Sequence, residues 1–136
     1  KGLSAWQAET PPPLVDPARA AKITLTSDRD WLAERIERRF DLMMEAGALD
    51  EVREYITDGW DPTLPSAQAI GARELVAYLN GDLDLDDAID QAKAQTRQYA
   101  KRQRTWFRSK MADWQAIDPA QDVSLDELRK IVSTFS

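Results

Sequence analysis

At 136 residues the chain is long enough for one compact domain or part of a larger one, and its 43% hydrophobic and 31% charged residues suit an ordinary soluble fold. No run of 18 apolar residues marks a membrane span, and the first residues carry no charged-then-apolar leader pattern. With neither cysteine nor histidine, these residues exclude a disulfide frame, thiol chemistry, a zinc site and a histidine acid–base catalyst, and together the features point to a cytoplasmic protein.

Residues 1–21 read as irregular, because Pro11, Pro12, Pro13 and Pro17 forbid a regular helix and favour extended backbone. Residues 22–26 (Lys-Ile-Thr-Leu-Thr) alternate polar and apolar side chains with β-branched residues, which predicts a short strand. So short a strand needs partners, and no second convincing strand lies nearby. The expected division is therefore an irregular segment plus one strand over 1–26, followed by a helical part over 27–136.

Ser27 is the expected cap of the first long helix, with Asp28 and Asp30 suiting the dipole of its first turn. Trp31, Leu32, Ile36, Phe40, Met43 and Met44 recur at helical spacing until Gly47. A second helix is expected from about Leu49 to Asp58, and a third, capped by Ser66, to about Asn80. Asp86 opens a long fourth helix to about Met111. Trp114 to Ile117 reads as a short extended segment, and Ser124 caps a final helix through Phe135. The fold class is thus mainly α with one or two short strands.

The net charge of −6 argues against a nucleic-acid partner, but the distribution argues for one. Seven of the 18 basic residues fall within residues 91–111, which contain no Asp or Glu; the rest of the chain holds 11 basic against 24 acidic residues. On a helical wheel Lys93, Arg97, Lys101, Arg104 and Arg108 follow one another at spacings of four, four, three and four, forming one stripe. Ala88, Ala92, Thr96, Tyr99, Trp106 and Phe107 fall on the other side and are expected to face a core. Gln103 sits within that aromatic face, where a buried amide must find hydrogen-bond partners. The plain alternative is a solvated face of an amphipathic helix. Against it, no acid lies three or four positions away within the stripe to relieve the repulsion, and cations at one-turn spacing suit a row of phosphates.

The segment 96–108, Thr-Arg-Gln-Tyr-Ala-Lys-Arg-Gln-Arg-Thr-Trp-Phe-Arg, closely resembles a signature of the tRNA dimethylallyltransferases, also called isopentenyl-diphosphate:tRNA transferases. Supporting blocks stand in the same order. Residues 2–7 (Gly-Leu-Ser-Ala-Trp-Gln) resemble one. Residues 32–39 (Leu-Ala-Glu-Arg-Ile-Glu-Arg-Arg), with Met43, Gly47, Glu51 and Val52, resemble an arginine-bearing helix. Pro65, residues 68–75 (Gln-Ala-Ile-Gly-Ala-Arg-Glu-Leu), Tyr78 and Leu79 resemble the next block. The resemblance covers most of residues 2–110.

It implies a larger α/β fold of the P-loop type. It also implies transfer of a dimethylallyl group from dimethylallyl diphosphate to the exocyclic amine of the adenosine 3′ of the anticodon, with that base flipped from its stack. The implied partners are the tRNA anticodon stem-loop and dimethylallyl diphosphate, with Mg2+ held mainly by residues outside this sequence; the protein is expected to be a monomer with no membrane role. The implied diphosphate ligand is Arg39, whose guanidinium fork suits that task; an ion pair with Glu34 or Glu37 is the structural alternative. Gln68, Ala69, Ile70, Gly71, Ala72 and Arg73 are implied to form a tRNA-contacting turn, in which Gly71 either admits close backbone approach or packs helices. Lys101, Arg102, Gln103, Arg104, Thr105, Trp106, Phe107 and Arg108 are implied to contact the anticodon stem-loop, with Lys101, Arg104 and Arg108 facing phosphate.

The family's Gly-x-x-x-x-Gly-Lys-[Ser/Thr] phosphate loop has no counterpart among the five glycines. Its catalytic aspartate and tunnel threonine are likewise expected upstream of Lys1. The chain is therefore expected to be part of a protein about twice as long, with no catalytic residue of its own and no activity in isolation. A second reading stays open: a small helical interaction domain that docks its basic helix on an acidic protein or other polyanion without catalysis. An anionic membrane is a poorer partner, because the helix lacks a broad apolar insertion face. Asp82, Asp84, Asp86 and Asp87 lack the ligand pattern of a calcium loop and serve better as helix-start charges. The five tryptophans and the Met43–Met44 pair read as packing residues.

Overall fold

The computed structural model describes all residues except 1, 13, 17, 19, 122, 123, 125, 127, 128, 131, 132 and 134–136. In chain order the elements are α1 (Leu3–Ala8), β1 (Ile23–Leu25), α2 (Arg29–Glu45), α3 (Ala48–Thr57), a 3-10 turn (Pro65–Gln68), α4 (Ala72–Leu79), α5 (Leu85–Lys110) and β2 (Gln115–Ile117). The mainly helical class with short strands is as expected. The final helix expected from Ser124 through Phe135 falls largely outside the described residues.

Three local expectations are corrected. The segment before β1 is not wholly irregular, because α1 occupies residues that precede the proline run and so keep their N–H groups and free φ angles. The cap of α2 is Asp28, not Ser27. Asp28 Oδ1 accepts from the backbone N–H groups of Asp30 and Trp31 at 2.8 and 3.1 Å, a charged acceptor at the positive end of the helix. The third helix does not start at Ser66. That stretch is a 3-10 turn that ends at Ala69 in extended backbone, and α4 begins only after Gly71. Ser66 Oγ instead shares a hydrogen bond with Tyr55 Oη, tying the turn to α3.

Residues 22–26 do not form a lone strand. β1 pairs in parallel with β2, Ile23 opposite Gln115 and Leu25 opposite Ile117. Hydrogen bonds from Gln115 N to Lys22 O and from Thr26 N to Ile117 O extend the ladder at 2.9 and 2.8 Å. A parallel pair requires a crossover, and here the crossover is the whole block α2–α5. That is why no partner is visible near β1 in the sequence.

The block's centre is small. Phe40 of α2, Leu75 and Val76 of α4, Ala88 and Ala92 of α5, and Ala67 of the 3-10 turn are buried. Gly71 brings these elements together. Its φ of +97° turns the chain into α4, and an added Cβ would lie 3.0 Å from Phe40 Cε2 and 3.6 Å from Ala92 Cβ. Glu74 is buried beside it. One carboxylate oxygen accepts from Gly71 N at 3.2 Å, and the other accepts from the Gln95 side chain, so a buried charge is met on both oxygens.

Candidate nucleic-acid interface

The basic helix α5 is 26 residues long and needs its sequence to specify both ends. Asp84 precedes it in extended backbone, Asp86 and Asp87 occupy the first turn, and Arg108 and Lys110 the last, each complementing the helix dipole. Ala88 and Ala92 let its first half approach α2 and α4 closely.

The stripe predicted along α5 is divided by tertiary structure. Lys93, only 14% exposed, pairs with Asp41 at 2.6 Å, and Arg97 pairs with Glu37 at 3.3 Å. The pairing order shows α2 and α5 running antiparallel. Beyond it, towards the start of α2, the two helices line an open groove of about 510 Å3. Leu32, Ala33 and Ile36 of α2 and Ala94 and Ala100 of α5 supply apolar lining. Lys101, Arg104 and Arg108 line it from α5 and Arg29 from α2; among the described residues none of these four has an ion pair or side-chain hydrogen bond.

No carboxylate lines this groove. Glu37 reaches its edge through the ion pair with Arg97, and Asp28 acts on it through Arg104. Hydrogen bonds from the N–H groups of Trp31 and then Asp30 hold its pKa below the ordinary carboxylate value, and the positive charge of Arg104 adds to the effect. Asp28 is thus an ionised cap beside the cationic cleft.

The other expected residues are distributed as follows. Thr105 also lines the groove, with its hydroxyl donating to Lys101 O at 3.0 Å. Arg102 and Trp106 line a shallower concavity with Gln98 and Ser109. Tyr99, Gln103 and Trp106 do not face a core: all three are exposed, Trp106 by 52%. The reason is that α2 and α4 cover the first half of α5, and no described element covers this face of its second half. Gln103 is therefore not a buried amide in search of partners. Arg102 lies over the Tyr99 ring at 5.8 Å, and Phe107, half-buried, meets Trp106 edge-to-face at 5.4 Å.

Residues 68–73 form a turn away from this groove. Gln68 and Arg73 both donate to Pro62 O, at 3.2 and 3.4 Å, while Gly71 is buried against Phe40 and Ala92. For Gly71 the packing reading therefore has a direct physical cause. Arg39 is exposed on α2, outside the groove, and pairs with neither Glu34 nor Glu37; Glu37 is taken by Arg97. Among the described residues no group of three or more His, Cys, Asp or Glu side chains is placed to hold a metal ion. No described helix is long and apolar enough to cross a membrane.

The sequence reading of the stripe missed Arg29, Leu32, Ala33 and Ile36. One signal was present: an arginine in the first turn of α2, where the helix dipole disfavours a cation.

The family model described as IPP transferase matches residues 1–110. The chain belongs to this family. It is 61% identical over 117 residues to a tRNA dimethylallyltransferase of Cereibacter sphaeroides, covering 86% of this chain and 40% of that protein. Against the tRNA dimethylallyltransferase of Paracoccus denitrificans it is 60% identical, covering 86% and 38%. Among solved structures, the tRNA isopentenylpyrophosphate transferase of Bacillus halodurans superposes with a TM-score of 0.72 at 41% identity, over 90% of this chain and 39% of that one. The tRNA delta(2)-isopentenylpyrophosphate transferase of Staphylococcus epidermidis gives the same TM-score at 34% identity, over 83% and 36%. The chain thus spans about two fifths of the length of these transferases, and its helical block with the strand pair has the fold of the corresponding part of them.

Proposed function

We propose that this chain is the tRNA-contacting part of a tRNA dimethylallyltransferase. The observation that carries the reading is the acid-free groove between α2 and α5, rimmed by Arg29, Lys101, Arg104 and Arg108, in a chain of this family. Cations one helical turn apart, with no ion pair or side-chain hydrogen bond among the described residues, suit the phosphates of an RNA strand. The exposed Tyr99 and Trp106 on the adjoining face suit stacking with unpaired bases of a loop.

In the complete enzyme the adenine amine attacks the dimethylallyl carbon bearing the diphosphate. A C–N bond forms, the C–O bond breaks, pyrophosphate leaves and the amine loses a proton. Residues of this chain hold the reactants in place. Lys101 to Arg108 bind the stem-loop, the turn 68–73 supports it, and the exposed guanidinium of Arg39 meets the diphosphate. None of these residues is a proton-transfer catalyst. The strand pair β1–β2 belongs to a larger α/β sheet of P-loop type, which accounts for the exposed Leu25 of β1 and for so short a sheet. Mg2+ is left to residues other than those described.

The test is fluorescence anisotropy of a labelled anticodon stem-loop at about 50 and 200 mM salt. With about four phosphate contacts, affinity falls on the order of 100-fold across that range. The variant Lys101→Glu, Arg104→Glu, Arg108→Glu abolishes binding. Weak binding that this variant leaves unchanged overturns the assignment of α5.

A further inference from the structure

The structure assigns a second rail to the groove: we infer that Arg29, from the first turn of α2, grips an RNA phosphodiester opposite Lys101, Arg104 and Arg108. The strand then lies in the cleft and is held from both sides, instead of along one face of α5. The inference rests on the proposed tRNA-binding function and extends it to a residue on a different helix.

Local structure gives Arg29 no task. It occupies the first position of α2, where unpaired backbone N–H groups and the dipole already place positive charge. The cap there is supplied by Asp28, whose Oδ1 is engaged with Asp30 and Trp31, and among the described residues Arg29 has no ion pair or side-chain hydrogen bond. It also shares the groove with four like charges, of which Arg97 alone is paired with a carboxylate among the described residues. Each feature makes Arg29 unfavourable for the free protein, and a polyanion entering the groove relieves both. Conflicts between a residue and its local setting concentrate at functional sites.

The floor limits which polyanion fits. Leu32, Ala33 and Ile36 offer no hydrogen-bond donors or acceptors from their side chains, so they suit the apolar faces of a ribose or an unstacked base. The volume of about 510 Å3 lies within the range of small-ligand sites, roughly 300–1,000 Å3, the scale of a few nucleotide groups. A single-stranded loop with its phosphates on the two rims meets both conditions.

The test pairs binding with stability in this chain. Arg29→Gln keeps the aliphatic stem and removes the charge; Arg29→Lys keeps the charge. For the labelled anticodon stem-loop, Arg29→Gln lowers affinity about 3- to 10-fold and flattens the salt slope by about one unit, while Arg29→Lys keeps most of the slope. The same Arg29→Gln variant melts about 1–4 °C higher than wild type, because the cation no longer opposes the dipole. A merely structural arginine lowers the melting temperature when removed and leaves the slope alone. If wild type binds with the full slope and the triple α5 variant does not, but Arg29→Gln binds as wild type, the second rail is wrong and the α5 assignment stands. If folded wild type fails to bind the stem-loop at 50 mM salt, the α5 assignment falls, and the second rail with it.

Discussion

Substituting Gly71 by alanine measures how the turn before α4 is held. The residue has φ of +97°, which an L side chain adopts at a cost of about 1–2 kcal/mol. The new Cβ would sit 3.0 Å from Phe40 Cε2 and 3.4 Å from Cζ, and the Phe40 ring is itself buried. Overpacking of this kind costs about 1–3 kcal/mol, and the smaller entropy of the unfolded alanine chain returns about 0.4–1 kcal/mol. The expected net loss is about 2–4 kcal/mol. Gly47 is the internal control: its φ is +101°, but a Cβ there meets nothing within 4 Å. Gly47→Ala should therefore lose only the backbone component, about 1 kcal/mol. Urea unfolding followed by circular dichroism gives both values, with unchanged slopes marking an unchanged native state. Equal losses in the two variants would refute the steric argument, and no loss in Gly71→Ala would refute the backbone argument as well. If Gly71 packs helices and does not touch RNA, the folded fraction of Gly71→Ala binds the stem-loop as wild type does.

Three further outcomes are expected. Replacing Glu74 by leucine leaves the buried Gly71 N–H without its acceptor and costs about 1–3 kcal/mol, whereas glutamine, which still offers an acceptor, restores most of it in the same urea assay. A double-mutant cycle of Lys93→Met and Asp41→Asn gives a coupling energy of about 0.5–1.5 kcal/mol, above that of a fully exposed pair because Lys93 is largely covered; a value near zero contradicts its inward placement. Asp28 titrates below its unfolded value, so its contribution to stability is complete above the unfolded carboxylate range near pH 4 and is lost as pH falls through the lower folded value. Asp28→Asn keeps the cap and should flatten the dependence of melting temperature on pH below about 4; an unchanged profile refutes the contribution of the ionised carboxylate.

The sequence by itself determined what depends on near neighbours. The boundaries of α2, α3 and α5 follow from capping acids, glycine stops and helical periodicity, all of which act within a turn or two of chain. The concentration of Lys and Arg between residues 91 and 111 was legible for the same reason, as were the motif blocks that carry the family. Even locally there were limits, since Ser27 and Asp28 both qualify as caps and only the backbone angles choose between them.

Tertiary structure decided which of those charges remain available. A wheel of α5 treats Lys93, Arg97, Lys101, Arg104 and Arg108 as equals. The antiparallel contact with α2 hands the first two to Asp41 and Glu37, leaves the last three on an open groove, and adds Arg29 from about seventy residues earlier in the chain. Tyr99 and Trp106 were assigned to a core on periodicity alone, but a period reports which residues share a face, not whether another element covers it. The partner of β1 was hidden for the same reason, because parallel pairing joins strands at opposite ends of a crossover and leaves no local pattern. Helix ends are set by forces acting over a few residues; the groove is set by how two helices, distant in sequence, lie against each other.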